Sequence, residues 1–357
     1  MKRVLTLTVA LVLFASLLAG CNSGSPSDPM NAGKDTELNL FTWEAMFPEE
    51  VLQAFTAETG IKINYSNFDF DETMLAKLEA AKGGDYDVVI ADDYIIETVI
   101  AEGLAQKLDK SKIENFANIN PIYQGQFYDP ADEYTVPYGA GVQTIVFDPA
   151  TVTIDITGYS DLWDESLKDN VGTIANYRVI NGMALKVLGE SYNTEDLDVI
   201  ERAGQKLREL APNIRVIKDD NLQDDLLSGE IAAAVMYTSQ VTMAKLANPD
   251  LEVVYPKEGI GFGIMANFIP VNAPHPDAAH QFIDFILRPE ISAQCYEWLG
   301  YYCTNKAADE LINPDYKDFL TLPAEFGGDM EMIQNVSAAA EEAHTKIWTE
   351  FKAACGQ

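Results

Sequence analysis

Histidine, cysteine and positive charge are all scarce in this chain. The three histidines are His275, His280 and His344, and they form no HExxH or comparable cluster. Four cysteines occur. Three of them, Cys295, Cys303 and Cys355, lie late in the chain without CxxC spacing, which argues against a zinc site or a disulfide framework. One bridge among those three stays open in an oxidising compartment, with the pair unspecified. Lys and Arg number 24 against 56 Asp and Glu, a formal charge of −32. Such a field makes nucleic acid and anionic lipid surfaces poor partners and attracts small cations, although acidity also serves solubility. Internal repeats are missing too, and no apolar run beyond the N-terminus approaches membrane-spanning length.

What is present begins at the N-terminus. Lys2 and Arg3 precede an apolar run from Val4 to Leu18, closed by Leu18-Ala19-Gly20-Cys21. A basic start, a short greasy core and a small-residue cleavage site predict a secretory signal peptide over residues 1–20. A cysteine placed directly after the cut is the bacterial lipoprotein arrangement, in which Cys21 carries the lipid. Residues 21–35, rich in Ser, Pro, Gly and Asn, predict a flexible tether. Removing 20 of the 357 residues leaves 337, enough for two domains, and loss of Lys2 and Arg3 takes the charge to −34.

Further along, short strands and helices alternate. Strand patterns at Glu37 to Phe41, Ile61 to Tyr65 and Tyr86 to Ala91 are separated by helices. One opens at Pro48-Glu49 and stops at Gly60; another is capped by Asp71; a third runs from Tyr94 to Glu102. This order predicts a parallel sheet covered by helices on both faces. Tyr134 to Asp148, interrupted by Pro137, Gly139 and Gly141, reads as a crossing between domains, and Gly259 to Gly263 as the return. Between them lie a strand at Val171 to Ala175, helices at Asn181 to Leu188 and Leu197 to Leu210, and a strand at Ala232 to Tyr237. Amphipathic helices follow at His280 to Leu287, Ile291 to Leu299 and Val336 to Ala354.

These pieces resemble the substrate-binding proteins of spermidine and putrescine ABC importers. The resemblance rests on Phe41-Thr42-Trp43 before Pro48, Phe55 to Ile61, Asp71 to Leu78, and Tyr86-Asp87-Val88-Val89. It continues through Asp161-Leu162-Trp163, Pro256 to Gly259, Phe285 to Glu290, and Gly300-Tyr301 before Asn305, so that it covers about residues 38 to 352. It implies an α/β, two-lobed periplasmic-binding-protein type II fold. Each lobe would be a mainly parallel sheet flanked by helices, with two crossovers at a hinge. Residues 36–142 and 264–309 would form one lobe, and 143–263 and 310–357 the other. The implied partners are a small organic cation, spermidine or putrescine foremost, an ABC permease, and the membrane through Cys21. Neither cofactor nor metal is implied, and the place is extracytoplasmic, in a periplasm or on the outer face of the cell membrane.

The resemblance also names cleft residues. Trp43, at the end of the first strand, matches an aromatic that stacks on the ligand, and an indole face attracts an ammonium by about 0.5–2 kcal/mol. Tyr94, Tyr237 and Tyr301 match other aromatic or hydroxyl positions, and Gln334 a polar contact. Carboxylates that the family sets against ligand amines fall here on Asn176, Val179 and Met265, and a family tyrosine falls on Met46. Acidic residues stand elsewhere: Glu44 after Trp43, and Asp92 and Asp93 after the third strand, where Asp is equally a good helix cap. Other classes leave weaker traces. Asp69 and Asp71 hint at a calcium loop, but its sixth position is Met74. Adjacent Tyr301 and Tyr302 should point apart, unlike a ferric pair. A thiaminase-like enzyme would need Cys303 as nucleophile, with no histidine close in sequence. A purely structural lipoprotein would need no cleft aromatics, and the same receptor fold could take a non-polyamine ligand.

Overall fold

The computed structural model describes residues 35–219, 221–320 and 330–356. The expected leader, Cys21 and all of the tether but Asp35 lie outside them. In chain order the elements are β1 Glu37–Thr42, α1 Glu49–Thr59, β2 Lys62–Asn67, α2 Asp71–Ala81, β3 Val88–Asp92 and α3 Asp93–Ala101. Then come β4 Thr135–Phe147, β5 Val171–Thr173, α4 Tyr177–Val187, α5 Leu197–Leu210, β6 Ile214–Ile217 and α6 Leu222–Ser228. β7 Ala233–Tyr237, α7 Thr238–Ala247, β8 Glu252–Val254 and β9 Ile260–Phe268 follow. The chain closes with α8 Pro276–Ile286, α9 Pro289–Leu299, β10 Tyr302–Cys303, α10 Pro314–Leu320, β11 Met330–Met332 and α11 Ala338–Ala354.

Local chemistry sets several boundaries. Two glutamates sit in the first turn of α1, where they complement the helix dipole, and Gly60 ends it at φ 76 with its N–H on Thr56 O. Asp71 is not the cap expected of it: the N-cap is Phe70, and Asp71 is the first helical residue, with its carboxylate turned toward β3. Asn176 does cap α4, its Oδ1 accepting the Val179 N–H at 3.2 Å.

The strand order β2-β1-β3-β9-β4-β7-β5-β6 joins two lobes. β1 pairs in parallel with β2 and β3. Leu38, Leu40, Val88 and Ile90 point to one face, against Val51 and Phe55 of α1 and Phe282 of α8; the Phe55 and Phe282 rings meet edge to face at 5.2 Å. Phe41, Val89 and Ala91 point to the other, against Met74, Leu78 and Ile96. This period-two alternation is why both faces carry helices. β5 pairs in parallel with β6 and β7 under α4, α5 and α11.

The sheet is mixed rather than mainly parallel throughout, because the crossing strands are antiparallel to their neighbours. β4 pairs with β9 over residues 135–142 and with β7 over 143–147, so one continuous strand serves both lobes. A register shift falls between Pro137 and Gly139, where proline has no N–H to donate. Both crossings read from the sequence are thus strands, paired with each other.

Candidate functional site

The site follows from the register. β3 ends at Asp92, which lies opposite Met265 of β9, and Met265 lies opposite Gly139 of β4. β7 ends at Tyr237, opposite Gln143 of the same β4. Four residues of extended strand separate those two rows, roughly 13 Å. Because β3 and β7 run in opposite senses, their carboxyl ends face each other across that gap, the place where open α/β sheets take ligands. Tyr301 occupies the middle. A Cβ on Gly141 would lie 2.9 Å from the Tyr301 Cδ1 and 3.3 Å from the Thr238 Oγ1, so only glycine lets this ring lie on the crossing strand.

From the first lobe comes an acidic group. The buried Asp71 accepts the Asp92 N–H at 3.5 Å through Oδ1 and the Tyr94 hydroxyl at 3.3 Å through Oδ2; Glu72 also accepts from Tyr94, at 3.2 Å. Burial, and next the Asp92 charge, push the Asp71 carboxyl well above its ordinary range. Burial pushes Asp92 up to about 6; its hydrogen bond to Asp71 opposes this and the Glu72 charge adds to it. The pair therefore holds a proton until near-neutral pH. Asp92 is the N-cap residue of α3 by backbone alone, without a side-chain cap bond, and its side chain is hydrogen-bonded with Asp71 instead.

The other expected residues separate by role. Trp43 is half-buried against Phe68, ring centroids 5.0 Å apart, and its carbonyl accepts the Tyr65 hydroxyl. Glu44 is exposed on the adjoining turn, where Ala45 has φ 57 and the Trp298 Nε1 donates to the Ala45 carbonyl; its charge bears on Tyr65. Asp93 does not face the cleft group. It is 4 % exposed, and its two oxygens accept the N–H groups of Tyr94 and Ile264, bracing α3 against β9. Asn176 is engaged by its helix and by a hydrogen bond to Tyr237. Gln334 is fastened through its N–H to Asn193, while its neighbour Asn335 donates to the Tyr94 carbonyl. Val179, Met46 and Met265 are buried.

Two contributors escaped the sequence reading. Asp71, with Glu72, was legible as a helix start and, with Asp69, as the trace of a calcium loop, not as a cleft residue. Asp219, two residues past β6, accepts the Ala175 N–H at 2.8 Å and the Tyr237 hydroxyl at 3.5 Å, while Gln240 holds its carbonyl. Burial pushes the Tyr301 hydroxyl up to about 12; a hydrogen bond to Ser239 opposes this, and Asp92 and Asp219 both add to it. The two carboxylates thus act on one ring from opposite lobes.

The sequence profile of the bacterial extracellular solute-binding proteins matches residues 50–324. The chain belongs to this family. Among its relatives, the spermidine/putrescine-binding periplasmic protein of Salmonella typhimurium is 35% identical over 350 residues, 94% of this chain and 97% of its own. That of Escherichia coli is 34% identical, over 90% of this chain and 93% of its own. The spermidine/putrescine ABC transporter substrate-binding protein of Streptococcus pneumoniae superposes with a TM-score of 0.80 at 29% identity, covering 90% of this chain and all of that one.

Cys295, Cys303 and Cys355 are free. Cys303 is buried, its Sγ donating to the Asn305 carbonyl at 3.1 Å, and burial pushes the thiol well up, away from a thiolate. Each histidine is engaged elsewhere: His275 with Asp87, His280 with the Asp109 N–H, His344 with Asn181. Tyr302 faces away from Tyr301 and pairs with the Tyr255 hydroxyl at 3.1 Å. Among the described residues no group of three or more His, Cys, Asp and Glu is placed to hold a metal ion, and no helix is long and apolar enough to cross a membrane.

Proposed function

We propose that this protein is the lipid-anchored receptor of an ABC importer, and that it captures spermidine, putrescine or a close polyamine in the interlobe cleft without doing chemistry on it. The observation that carries the reading is the half-buried Asp92 carboxylate beside the Tyr301 ring. A desolvated ammonium needs an opposite charge and acceptors, and methylenes need an apolar face. Asp92 with Asp71 and Glu72 answers the first need, Tyr301 and Trp43 the second. The names of the relatives at 34–35% identity support the same ligand class.

In this reading residues 36–142 and 264–309 form one jaw and 143–263 with 310–357 the other. β4 and β9 flex between them, and ligand contacts on both sides bias the closed state that a permease recognises. Titration calorimetry of the protein from Lys34 onward against putrescine and spermidine tests it. Wild type should give heat with at least one of them, and Trp43→Ala should weaken that binding roughly tenfold. A wild-type protein silent with both overturns the proposal.

The anchor has its own test. Cys21→Ala should move the protein from the membrane fraction to the soluble one and abolish incorporation of labelled fatty acid. Unchanged membrane association would mean that Cys21 carries no lipid.

A further inference from the structure

Asp219 deserves a role because of where the chain puts it. β6 runs parallel to β5, with Ile217 opposite Thr173, so the residues just past both strands emerge side by side at the cleft. There the Ala175 N–H and the Tyr237 hydroxyl fix the Asp219 Oδ1, and the Gln240 amide fixes its backbone. The side chain is solvent-exposed, so a ligand can reach it. The second-lobe positions at which the family resemblance expects carboxylates hold none: Asn176 caps α4, and Val179 lies in the core. Among the cleft residues already placed, Asp219 brings the negative charge from this lobe. It stands beside Tyr237, whose register row lies roughly 13 Å along β4 from that of Asp92. Two side chains reaching inward from such rows leave room for a short chain with a cation at each end.

We infer that Asp219 is the second-lobe counter-charge of the ligand, so that the site reads a two-ended cation, one ammonium on Asp92 and the other on Asp219, across the Tyr301 ring. The inference rests on the polyamine reading and adds to it. A monoamine of equal length would bring a cation to one lobe only. Two-ended recognition also couples binding to closure, because the two carboxylates belong to different lobes. Asp219 is this chain's own answer to the loss of acidic residues at 176 and 179.

The experiment is a cycle of two proteins and two ligands. Wild type and Asp219→Asn are titrated with putrescine and, by competition, with butylamine. Asparagine keeps an oxygen for the Ala175 and Tyr237 contacts, so the fold is retained, and equal melting temperatures verify it. In wild type the preference for putrescine should be about 30-fold or more, since only the diamine brings an ammonium to the carboxylate of each lobe. In Asp219→Asn it should fall to about threefold, chiefly through weaker putrescine binding. An Asp219→Asn protein that keeps the wild-type preference overturns the inference while leaving the polyamine reading intact. A wild type that binds neither putrescine nor spermidine overturns both.

Discussion

Replacing Asp92 by Asn should weaken putrescine binding about 100-fold at pH 8 while making the ligand-free protein more stable, not less. The two effects have one origin. Asp92 titrates at about 6 instead of its ordinary 3.8, chiefly through burial, so the folded protein resists its ionisation. A carboxyl raised in the folded state contributes full stability below its unfolded value and loses it as pH rises through the folded one. That loss falls between pH 3.8 and about 6. Asparagine keeps the shape and never carries the charge, so Asp92→Asn escapes the loss at neutral pH. Binding runs the other way. An ammonium is attracted only by the ionised form, so wild-type affinity should drop about tenfold for each pH unit below about 6.

The groups facing Asp92 leave that sign unchanged. Asp71 and Glu72 add negative charge, Tyr94 is a neutral donor, and Met265 opposite it brings no charge. In Asp92→Asn the same pH dependence should flatten. Calorimetry across pH 5 to 8 with parallel thermal melts reads both quantities. An Asp92→Asn protein that binds as wild type does, or melts below it at neutral pH, would remove Asp92 from the site.

The sequence carried the frame further than the site. Alternation at Leu38, Leu40, Val88 and Ile90 and the stop at Gly60 are local signals, and the helix read at Leu197 to Leu210 is the observed α5. Where the signal was short it failed: β6 is four residues with exposed Arg215, and the N-cap of α7 is Tyr237, outside the Ser, Thr, Asp and Asn set that marks a helix start. The crossing at Tyr134 to Asp148 was legible from its proline and glycines. The reason for two of those glycines was not: Gly139 gives way to the Met265 methyl and Gly141 to the Tyr301 ring, contacts of 2.8 and 2.9 Å to any added Cβ. Asp219 sits in the run Lys218-Asp219-Asp220-Asn221, which reads as an ordinary polar loop. Only the parallel pairing of β6 with β5 carries it to Tyr237. Asp93 failed in the opposite way, since its acidic neighbourhood suggested a ligand contact whereas the Ile264 N–H claims it. Strand pattern is encoded in neighbours along the chain, but a cleft is made by register between distant strands.

Gly182 gives the second large effect, and there the usual rule reverses. A glycine inside a helix normally costs about 0.5–1 kcal/mol relative to alanine, so Gly→Ala in α4 would ordinarily stabilise. Here a Cβ on Gly182 would lie 1.9 Å from the Tyr192 Cδ1. Tyr192 cannot swing away: it is fully buried, its N–H is on Glu331, its carbonyl on Arg178, and Lys186 lies over its ring at 5.4 Å. Either α4 shifts or the ring leaves its pocket, so Gly182→Ala should cost about 3 kcal/mol and lower Tm by about 5 °C. Because Asn176 caps α4 and bonds Tyr237, the helix shift should reach the cleft and weaken putrescine binding as well. A double-mutant cycle with Tyr192→Leu isolates the clash: the smaller side chain should restore much of the Tm lost to the methyl, whereas Tyr192→Phe, which keeps the ring, should restore none. A Gly182→Ala protein as stable as wild type would mean that the ring moves freely, and that α4 is not the rigid support on which this side of the cleft is built.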